Sequence, residues 1–234
     1  MKLQYHLTEL LYPHRCPFCN ETEPNELCNR CREKLEWVQE PHCCKCGKPI
    51  PDEQQEYCFD CKNRKKSFEK GRSLWIHKPP VSDALYRFKY KNQRCYGLFF
   101  AKSLWEMYEE EIRRWKPDVI IPVPVHWKRY RKRGYNQAAV IAKQLSHISQ
   151  ITLDEHVVVR VEDTKPSKEL DPAERAENLR KAFVIDEQIK KYRRVLLLDD
   201  IYTTGTTIDT IARKMHKKGV ERVYFLTISI GQGF

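Results

Sequence analysis

The chain has 234 residues, of which 41% are hydrophobic and 32% charged, which suits a folded protein of one or two domains. No apolar run reaches the roughly 20 residues that a membrane-spanning helix needs. The N-terminus also lacks the apolar core and the cleavage site of a signal peptide, so we expect a cytoplasmic protein.

The charge is distributed unevenly along the chain. Of the 43 basic and 32 acidic residues, 11 of each lie in residues 1–66. The net charge of +11 therefore lies entirely in residues 67–234. A basic region of this kind suits a polyanion, either nucleic acid or a small phosphate-rich molecule, although solubility is a simpler explanation.

Nine of the ten cysteines lie between Cys16 and Cys61, and eight of them form four Cys-x-x-Cys pairs, with Cys44 left over. In a cytoplasmic chain this spacing is typical of metal binding rather than of disulfides. Two Cys-x-x-Cys turns supply the four thiolates that a structural Zn²⁺ prefers. The predicted ligands of two zinc sites are Cys16, Cys19, Cys28 and Cys31, followed by Cys43, Cys46, Cys58 and Cys61.

Other arrangements of these cysteines are open. Interleaved ligand pairs, an iron–sulfur cluster or a redox pair would use the same residues, although a redox Cys-x-x-Cys needs a βαβ setting that this region lacks. Cys44 could replace Cys43 as a ligand, and the isolated Cys95 is interpreted as a buried small residue. A region of this size with few aliphatic residues depends on metal to fold.

A basic segment without apolar periodicity, residues 61–73, follows and places a domain boundary near Ser67. Beyond it, strands are predicted at 72–78, 117–125, 155–163, 193–200 and 221–230. Helices are predicted at 82–116, with a break near 92–95, and at 133–149 and 205–219. This alternation predicts an α/β fold, with a mainly parallel sheet, helices on both faces and ligands at the carboxyl ends of the strands.

The segment VLLLDDIYTTGTT, residues 195–207, contains the most informative pattern in the chain. A buried strand ends in two carboxylates, and a glycine within a run of threonines leads into a helix. A Walker B strand also ends in carboxylates, but the phosphate loop that accompanies it is missing from the sequence. Amides and hydroxyls at a helix N-terminus bind phosphate, and neighbouring carboxylates accept hydrogen bonds from vicinal hydroxyls. The pattern therefore predicts a ribose 5-phosphate site at Asp199, Asp200, Thr203, Thr204, Gly205, Thr206 and Thr207.

This segment resembles the signature with which type I phosphoribosyltransferases bind phosphoribosyl pyrophosphate (PRPP). The resemblance implies that Asp199 and Asp200 bind the ribose hydroxyls and take part in catalysis. It also implies that the threonine-rich loop holds the 5′-phosphate and that Mg²⁺ bridges the ribose and the pyrophosphate.

Over its whole length the sequence resembles the ComF family, late-competence and amidophosphoribosyltransferase-like proteins with an N-terminal double zinc ribbon. The cysteine pairs and the segments FKYKNQ (88–93), VPVHWKRYRKRGYNQA (123–138) and ERAENLRKAF (174–183) carry this resemblance. It implies a double zinc-ribbon domain at 1–66 and a type I phosphoribosyltransferase-like domain at 67–234.

The resemblance also assigns roles to individual positions. The prolines after the second strand would form a pyrophosphate loop, and Arg133 would begin the RGxNQ element of the family. The variable-loop pattern of the family matches Arg160, Thr164, Leu170, Arg175, Asn178 and Phe183. Ser167 departs from the family, which usually has Gln at this position.

Residues 126–134, HWKRYRKRG, combine five basic residues with two aromatic ones. This composition suits pyrophosphate and also single-stranded nucleic acid, whose bases stack on aromatic rings. The plain alternative is the solvated start of a helix. The predicted nucleic-acid contacts are Trp127, Lys128, Arg129, Tyr130, Arg131 and Lys132, with Lys89 and Lys91 as weaker candidates.

Two functions are compatible with these features. The first is a competence protein that handles incoming single-stranded DNA in natural transformation and is built on a PRPP-binding fold. The second is an active phosphoribosyltransferase that transfers ribose 5-phosphate to a nitrogen acceptor. The resemblance further implies a partner, the DNA-translocating helicase of the competence system, and leaves recruitment to the membrane uptake machinery open.

Overall fold

A computed structural model describes residues 14–23, 25–161 and 181–231. The α-helices are α1 (Asn29–Arg32), α2 (Phe59–Asn63), α3 (Val81–Tyr90), α4 (Tyr96–Trp115), α5 (Trp127–Arg133), α6 (Gln137–Ser149) and α7 (Thr206–His216). The strands are β1 (Lys70–Ile76), β2 (Val119–Pro122), β3 (Thr152–Leu153), β4 (Val158–Arg160), β5 (Phe183–Ile185), β6 (Arg194–Tyr202) and β7 (Arg222–Ile230), and a 3₁₀-helix spans Glu187–Lys191.

Five strands form a parallel sheet in the order β1-β7-β6-β2-β3. The central strands β2, β6 and β7 are mostly apolar and buried on both faces over most of their length, as expected when helices cover a parallel sheet on both sides. The predicted α/β class is therefore correct. Strands β4 and β5 form a separate antiparallel pair.

One face of the sheet is covered by α3, α4 and α6. Leu74, Leu196 and Leu226 point into this layer. Phe18 and Leu27 of the first cysteine region, residues 16–31, belong to the same apolar cluster. The edge-to-face contact between Phe18 and Trp75, with ring centroids 5.5 Å apart, joins the cysteine region to the sheet.

The other face is covered by α7 and by the second cysteine region, residues 43–61. Leu197 and Phe225 of the sheet share a cluster with Ile50 and with Phe68, which lies just before β1. Each cysteine region therefore packs against a different face of the same sheet.

The segment between the two cysteine regions covers the edge strand β1. The Val38 amide donates to the Leu74 carbonyl, and the Ile76 amide donates to the Glu36 carbonyl, both at 2.9 Å. Covering an edge strand prevents it from pairing with other chains. The division of the chain near Ser67 stays a prediction.

Most predicted elements match the observed ones, with two differences. The strand predicted at 155–163 is the short β4 of the separate pair, and the two-residue β3 takes the sheet edge. The helix predicted at 133–149 begins only at Gln137, because Gly134 has a φ of 79° and ends α5. The Asn136 side chain then caps α6 by accepting from the Ala138 amide. Within the described ranges, no helix is both long and apolar enough to cross a bilayer.

Candidate ligand-binding cleft and metal clusters

The eight predicted cysteine ligands form two separate clusters in which the sulfur atoms lie within 4.8 Å of one another. They are Cys16, Cys19, Cys28 and Cys31, and Cys43, Cys46, Cys58 and Cys61. The pairing follows the chain order and is not interleaved. Cys44 lies on the surface while Cys43 is buried, so Cys43 belongs to the second cluster.

The two clusters are built in the same way. In each, the first Cys-x-x-Cys turn closes on a residue with positive φ, Asn20 at 64° or Gly47 at 75°, whose amide donates to the first cysteine's carbonyl. The second pair begins at a helix N-cap, at Cys28 for α1 and at Cys58 for α2. Both arrangements direct two sulfur atoms to one point.

The second cluster requires a cation if its thiols are ionised. Contacts with Cys43, Cys58 and Cys61, followed by burial, raise the pKa of Cys46 well above its usual range. Four adjacent thiolates therefore repel one another, and a bound Zn²⁺ removes this penalty. The donor set and its spacing fit zinc-ribbon sites.

The prediction for Cys95 is wrong, because this residue is exposed. It lies just before α4, at the break between α3 and α4, where the chain turns outside the core.

The acidic pair lies where β2 ends beside β6. Strand β2 pairs with β6 as far as Leu198, whereas β6 continues to Tyr202. Asp199 and Asp200 are thus the first residues of β6 beyond β2. The chain leaves β2 towards β3 and leaves β6 towards β7, on the opposite side. Crevices at such a switch point are where open parallel sheets bind ligands.

The two carboxylates have different surroundings. Asp200 forms an ion pair with Lys89 of α3. The Asp199 carboxylate accepts from the Asp200 amide at 2.8 Å. Burial, followed by the charge of Asp200, raises the pKa of Asp199 to about 8. A cationic ligand or a set of hydroxyl donors above this pair would reduce the repulsion between the two carboxylates.

The threonine-rich loop connects β6 to α7. Gly205 has a φ of 71° and stands at the N-cap of α7, while the Thr204 and Thr206 hydroxyls are 2.7 Å apart. The first amides of a helix have no acceptor within the helix, so the start of α7 offers donors to an anion. Thr203 and Thr204 are exposed, Gly205 is buried, and Thr207 lines the cleft.

Basic and amide side chains form the opposite wall of this cleft, which has a volume of about 150 Å³. Lys89, Arg129, Arg133 and Arg160 line it together with Pro124, Asn136, Gln137, Asp199, Asp200 and Thr207. The structure thus brings the predicted Arg133 and the acidic pair together. It adds Lys89, which the sequence marked only as a weaker candidate, and Arg160, which the sequence assigned to the variable loop.

The RGxNQ element shapes this wall. The Arg133 guanidinium donates to the Gln137 side chain and to the Tyr90 hydroxyl, both at 2.9 Å. The Asn136 amide group donates to the Val123 carbonyl at 3.0 Å, which holds the turn after β2. Tyr90 was missed as a site residue, although it lies within the FKYKNQ segment.

The predicted nucleic-acid contacts lie on α5, none of whose residues is buried. Trp127 and Tyr130 are each 52% exposed. Lys128 and Arg131 lie 5.9 and 5.6 Å from the centre of the Trp127 ring. Of the predicted set, Arg129 lines the cleft, while the aromatic rings face outwards. Thr164, Ser167, Leu170, Arg175 and Asn178 fall outside the described residues.

Comparisons with known proteins agree with this arrangement. A double zinc ribbon domain matches residues 7–62, and a phosphoribosyl transferase domain matches residues 100–229. Competence protein F of Haemophilus influenzae is 32% identical over 89% of this chain and 93% of its own length. Competence protein ComFC of Bacillus subtilis is 26% identical over 84% of this chain and 81% of its own length. DNA utilization protein YhgH of Escherichia coli (strain K12) is 24% identical over 77% of this chain and 80% of its own length. A purine phosphoribosyltransferase from Pyrococcus horikoshii covers 56% of this chain and 72% of its own, at 22% identity and a TM-score of 0.34 too low to support a conclusion.

The fold and the cleft define a phosphoribosyltransferase-like protein, and the two cysteine clusters fit its N-terminal double zinc ribbon. The match to competence protein F over most of both chains identifies the group more narrowly. The chain belongs to the ComF family.

Proposed function

We propose that this protein handles incoming single-stranded DNA during natural transformation and binds PRPP in the cleft beside β6. The names of its relatives, competence protein F and DNA utilization protein, support a role in DNA uptake or use. In this proposal the protein acts in the cytoplasm, next to the DNA-translocating helicase of the uptake machinery.

The observation that carries the DNA proposal is the exposed aromatic and basic surface around α5. Trp127 and Tyr130 are half exposed among five basic residues. The rings of Tyr86 and Tyr90 on α3 are 4.9 Å apart and also about half exposed, and the Tyr90 hydroxyl accepts from Arg133 of α5. Exposed rings stack unpaired bases, and the cations follow the phosphates. Duplex DNA offers the phosphates but keeps its bases stacked, so single strands are favoured.

The observation that carries the PRPP proposal is the combination of an acidic pair and a phosphate loop within one crevice. Asp199 and Asp200 would accept from the ribose hydroxyls, and the amides of the loop would hold the 5′-phosphate. Lys89, Arg129 and Arg133 would face the pyrophosphate. Mg²⁺, when bound with PRPP, would neutralise pyrophosphate charge, and the carboxylate oxygens of the acidic pair are ligands that it accepts.

Binding to a fluorescent thymidine oligomer, titrated over a range of salt concentrations, tests the DNA proposal. Wild type should bind with a strong salt dependence. Replacing Lys128, Arg129, Arg131 and Lys132 by Gln should reduce the slope of log affinity against log salt by about 2–3, because each phosphate contact on a single strand contributes about 0.7. A matched variant replaces four exposed basic residues elsewhere, Arg32, Lys34, Arg114 and Arg193, and should keep the slope close to that of wild type.

A further double variant separates DNA binding from PRPP binding. Trp127→Ala with Tyr130→Ala removes stacking without changing charge, so DNA affinity should fall by tenfold or more while PRPP affinity is kept. Equal DNA binding by wild type and the quadruple Gln variant, or no binding by either, would exclude α5 as the DNA contact.

Turnover of PRPP is the second candidate function. It is favoured by the cations that line the cleft, because stabilising the departing pyrophosphate is the main catalytic demand of this reaction. Release of pyrophosphate from PRPP, measured with a panel of nitrogen acceptors, distinguishes an enzyme from a binding protein. No release with any acceptor, despite PRPP binding, would favour the binding role.

A further inference from the structure

Tyr202 lies between the threonine-rich loop and the second cysteine cluster. It is the last residue of β6, only 1% exposed, and its ring stacks on Phe225 at 4.7 Å and meets Phe68 edge-on at 6.3 Å. The Tyr202 hydroxyl abuts Gly205, where an added Cβ would lie 2.2 Å from the oxygen. The position of this ring therefore limits how the loop can fold.

The same hydroxyl is a buried donor, and Tyr202 belongs to the apolar cluster that also contains Cys43, Cys46 and Cys58. Among the described residues it has no standard hydrogen-bond partner. A metal-bound thiolate is the acceptor that this orphaned donor fits, as an outer-shell partner of the metal.

A second connection runs through the segment that follows Cys61. Lys66 is nearly buried, and its ammonium group donates to the Thr204 carbonyl of the loop at 2.9 Å. The Ser67 amide donates to the Asp209 carboxylate in the first turn of α7 at 2.6 Å. The segment that follows the second cluster thus contacts both the threonine-rich loop and the first turn of α7, whose amides form part of the proposed phosphate site.

The first cluster has different connections. The Arg87 side chain of α3 donates to the Pro17 and Phe18 carbonyls, and the Tyr96 hydroxyl of α4 donates to the Asn20 side chain. These contacts lie on the opposite face of the sheet from Tyr202, in the other apolar cluster.

We propose that metal in the second cysteine cluster positions the phosphate-binding loop through Tyr202 and Lys66, so that zinc at this site and an anion in the loop bind cooperatively. The first cluster is independent of the loop. The anion part of this inference rests on the proposed PRPP site, whereas the link between metal and loop order does not.

Cooperative binding is reciprocal. If zinc at the second cluster strengthens anion binding, the anion raises the zinc affinity of that cluster by the same factor. Loss of an outer-shell partner typically lowers metal affinity 10- to 100-fold. Removing the Tyr202 hydroxyl should therefore weaken one of the two zinc sites by at least about tenfold.

Tyr202→Phe keeps the ring and removes the donor. Its control is Tyr108→Phe, since Tyr108 is also buried but its hydroxyl donates to the Ser73 carbonyl, away from the loop. Zinc transfer to a chelator should show one weakened site of two in Tyr202→Phe and no change in Tyr108→Phe. Amide hydrogen exchange of residues 203–207 should rise in the first variant and not in the second. Wild-type zinc affinity and wild-type exchange in Tyr202→Phe overturn the proposal.

A second pair of variants removes one metal at a time. Cys61→Ser and Cys19→Ser each change a half-buried ligand, in the second and the first cluster respectively. Each should retain about one zinc per chain, but only Cys61→Ser should increase exchange at 203–207 and weaken PRPP binding. Equal loop exchange in the two variants contradicts the proposal. If wild type binds no PRPP while the exchange pattern holds, the PRPP assignment fails and the coupling between metal and loop stands.

Discussion

The threonine-rich loop and helix α5 flank the same cleft but are built in opposite ways. The Thr203 and Thr204 side chains are exposed, but the loop backbone is enclosed at Gly205, which is buried against Tyr202. Lys66 donates to the Thr204 carbonyl, and the Ser67 amide donates to the Asp209 carboxylate at the start of α7. Helix α5 has seven residues and none of them is buried. The enclosed side suits a ligand of fixed shape, whereas the open side suits a long and variable polyanion. Mutations on the loop side should therefore affect stability and PRPP together, while mutations on α5 should affect binding alone.

Two glycines with almost the same backbone conformation give the most direct test of this contrast. Gly205 in the loop has a φ of 71°, and Gly134 at the end of α5 has a φ of 79°. An alanine at either position carries a similar backbone penalty of about 1–2 kcal/mol. At Gly205 the new Cβ also meets the Tyr202 ring at 2.2–2.7 Å, whereas at Gly134 it meets only the end of the Arg94 side chain at 3.0 Å.

Gly205→Ala should therefore lower the free energy of unfolding by about 1–3 kcal/mol more than Gly134→Ala does, because overpacking adds to the backbone penalty. It should also abolish PRPP binding. Urea denaturation of both variants, followed by calorimetry with PRPP, measures the two effects. Equal destabilisation would show that the loop is no more enclosed than the end of α5.

PRPP affinity gives a second comparison between the loop side of the cleft, which includes the acidic pair, and α5. Asp199→Asn with Asp200→Asn keeps the shape of the side chains but removes both carboxyl groups that would accept from the ribose hydroxyls. Hydrogen bonds to charged groups contribute roughly 1.5–3 kcal/mol each, so PRPP should bind at least about tenfold more weakly. Calorimetry should show this loss, and the double alanine variant at Trp127 and Tyr130 should retain wild-type affinity. Unchanged affinity in the double Asn variant rules out the pair as the ribose site.

The same contrast explains which features could be predicted from the sequence. The strand, acidic pair and loop of residues 195–207 follow one another without interruption, so their periodicity and spacing define a site on their own. The opposite wall draws Lys89, Arg133 and Arg160 from segments far apart in the chain, and only tertiary packing brings them together. Strand β3 has two residues, too few for any periodicity to show. The four-cysteine clusters were predictable because each is a local repeat, but their packing on opposite faces of the sheet was not.

The smallest predicted effect concerns the stability of the ligand-free protein. The pKa of Asp199 is raised to about 8, so folding favours the protonated carboxyl. That contribution is fully present below the ordinary aspartate pKa near 4 and is lost as the pH rises through about 8. Wild type should therefore lose stability over this range, whereas Asp199→Asn lacks the titrating group and should not share the loss.

Thermal melts of wild type and Asp199→Asn from pH 5 to 9 measure this difference. Asp199→Asn should become the more stable of the two proteins as the pH rises. At pH 9 its free energy of unfolding should exceed that of wild type by at least about 1 kcal/mol, which is less than the free energy that a pKa shift of one unit represents. Asp154→Asn is the control, because the pKa of Asp154 is shifted in the opposite direction to that of Asp199. Although burial opposes the shift, hydrogen bonds from the His156 amide and the Tyr192 hydroxyl lower the pKa of Asp154, so its loss should destabilise the protein throughout this range. A constant difference between wild type and Asp199→Asn across the range would mean that Asp199 is ionised without penalty, and that the enclosed side of the cleft is no less hydrated than α5.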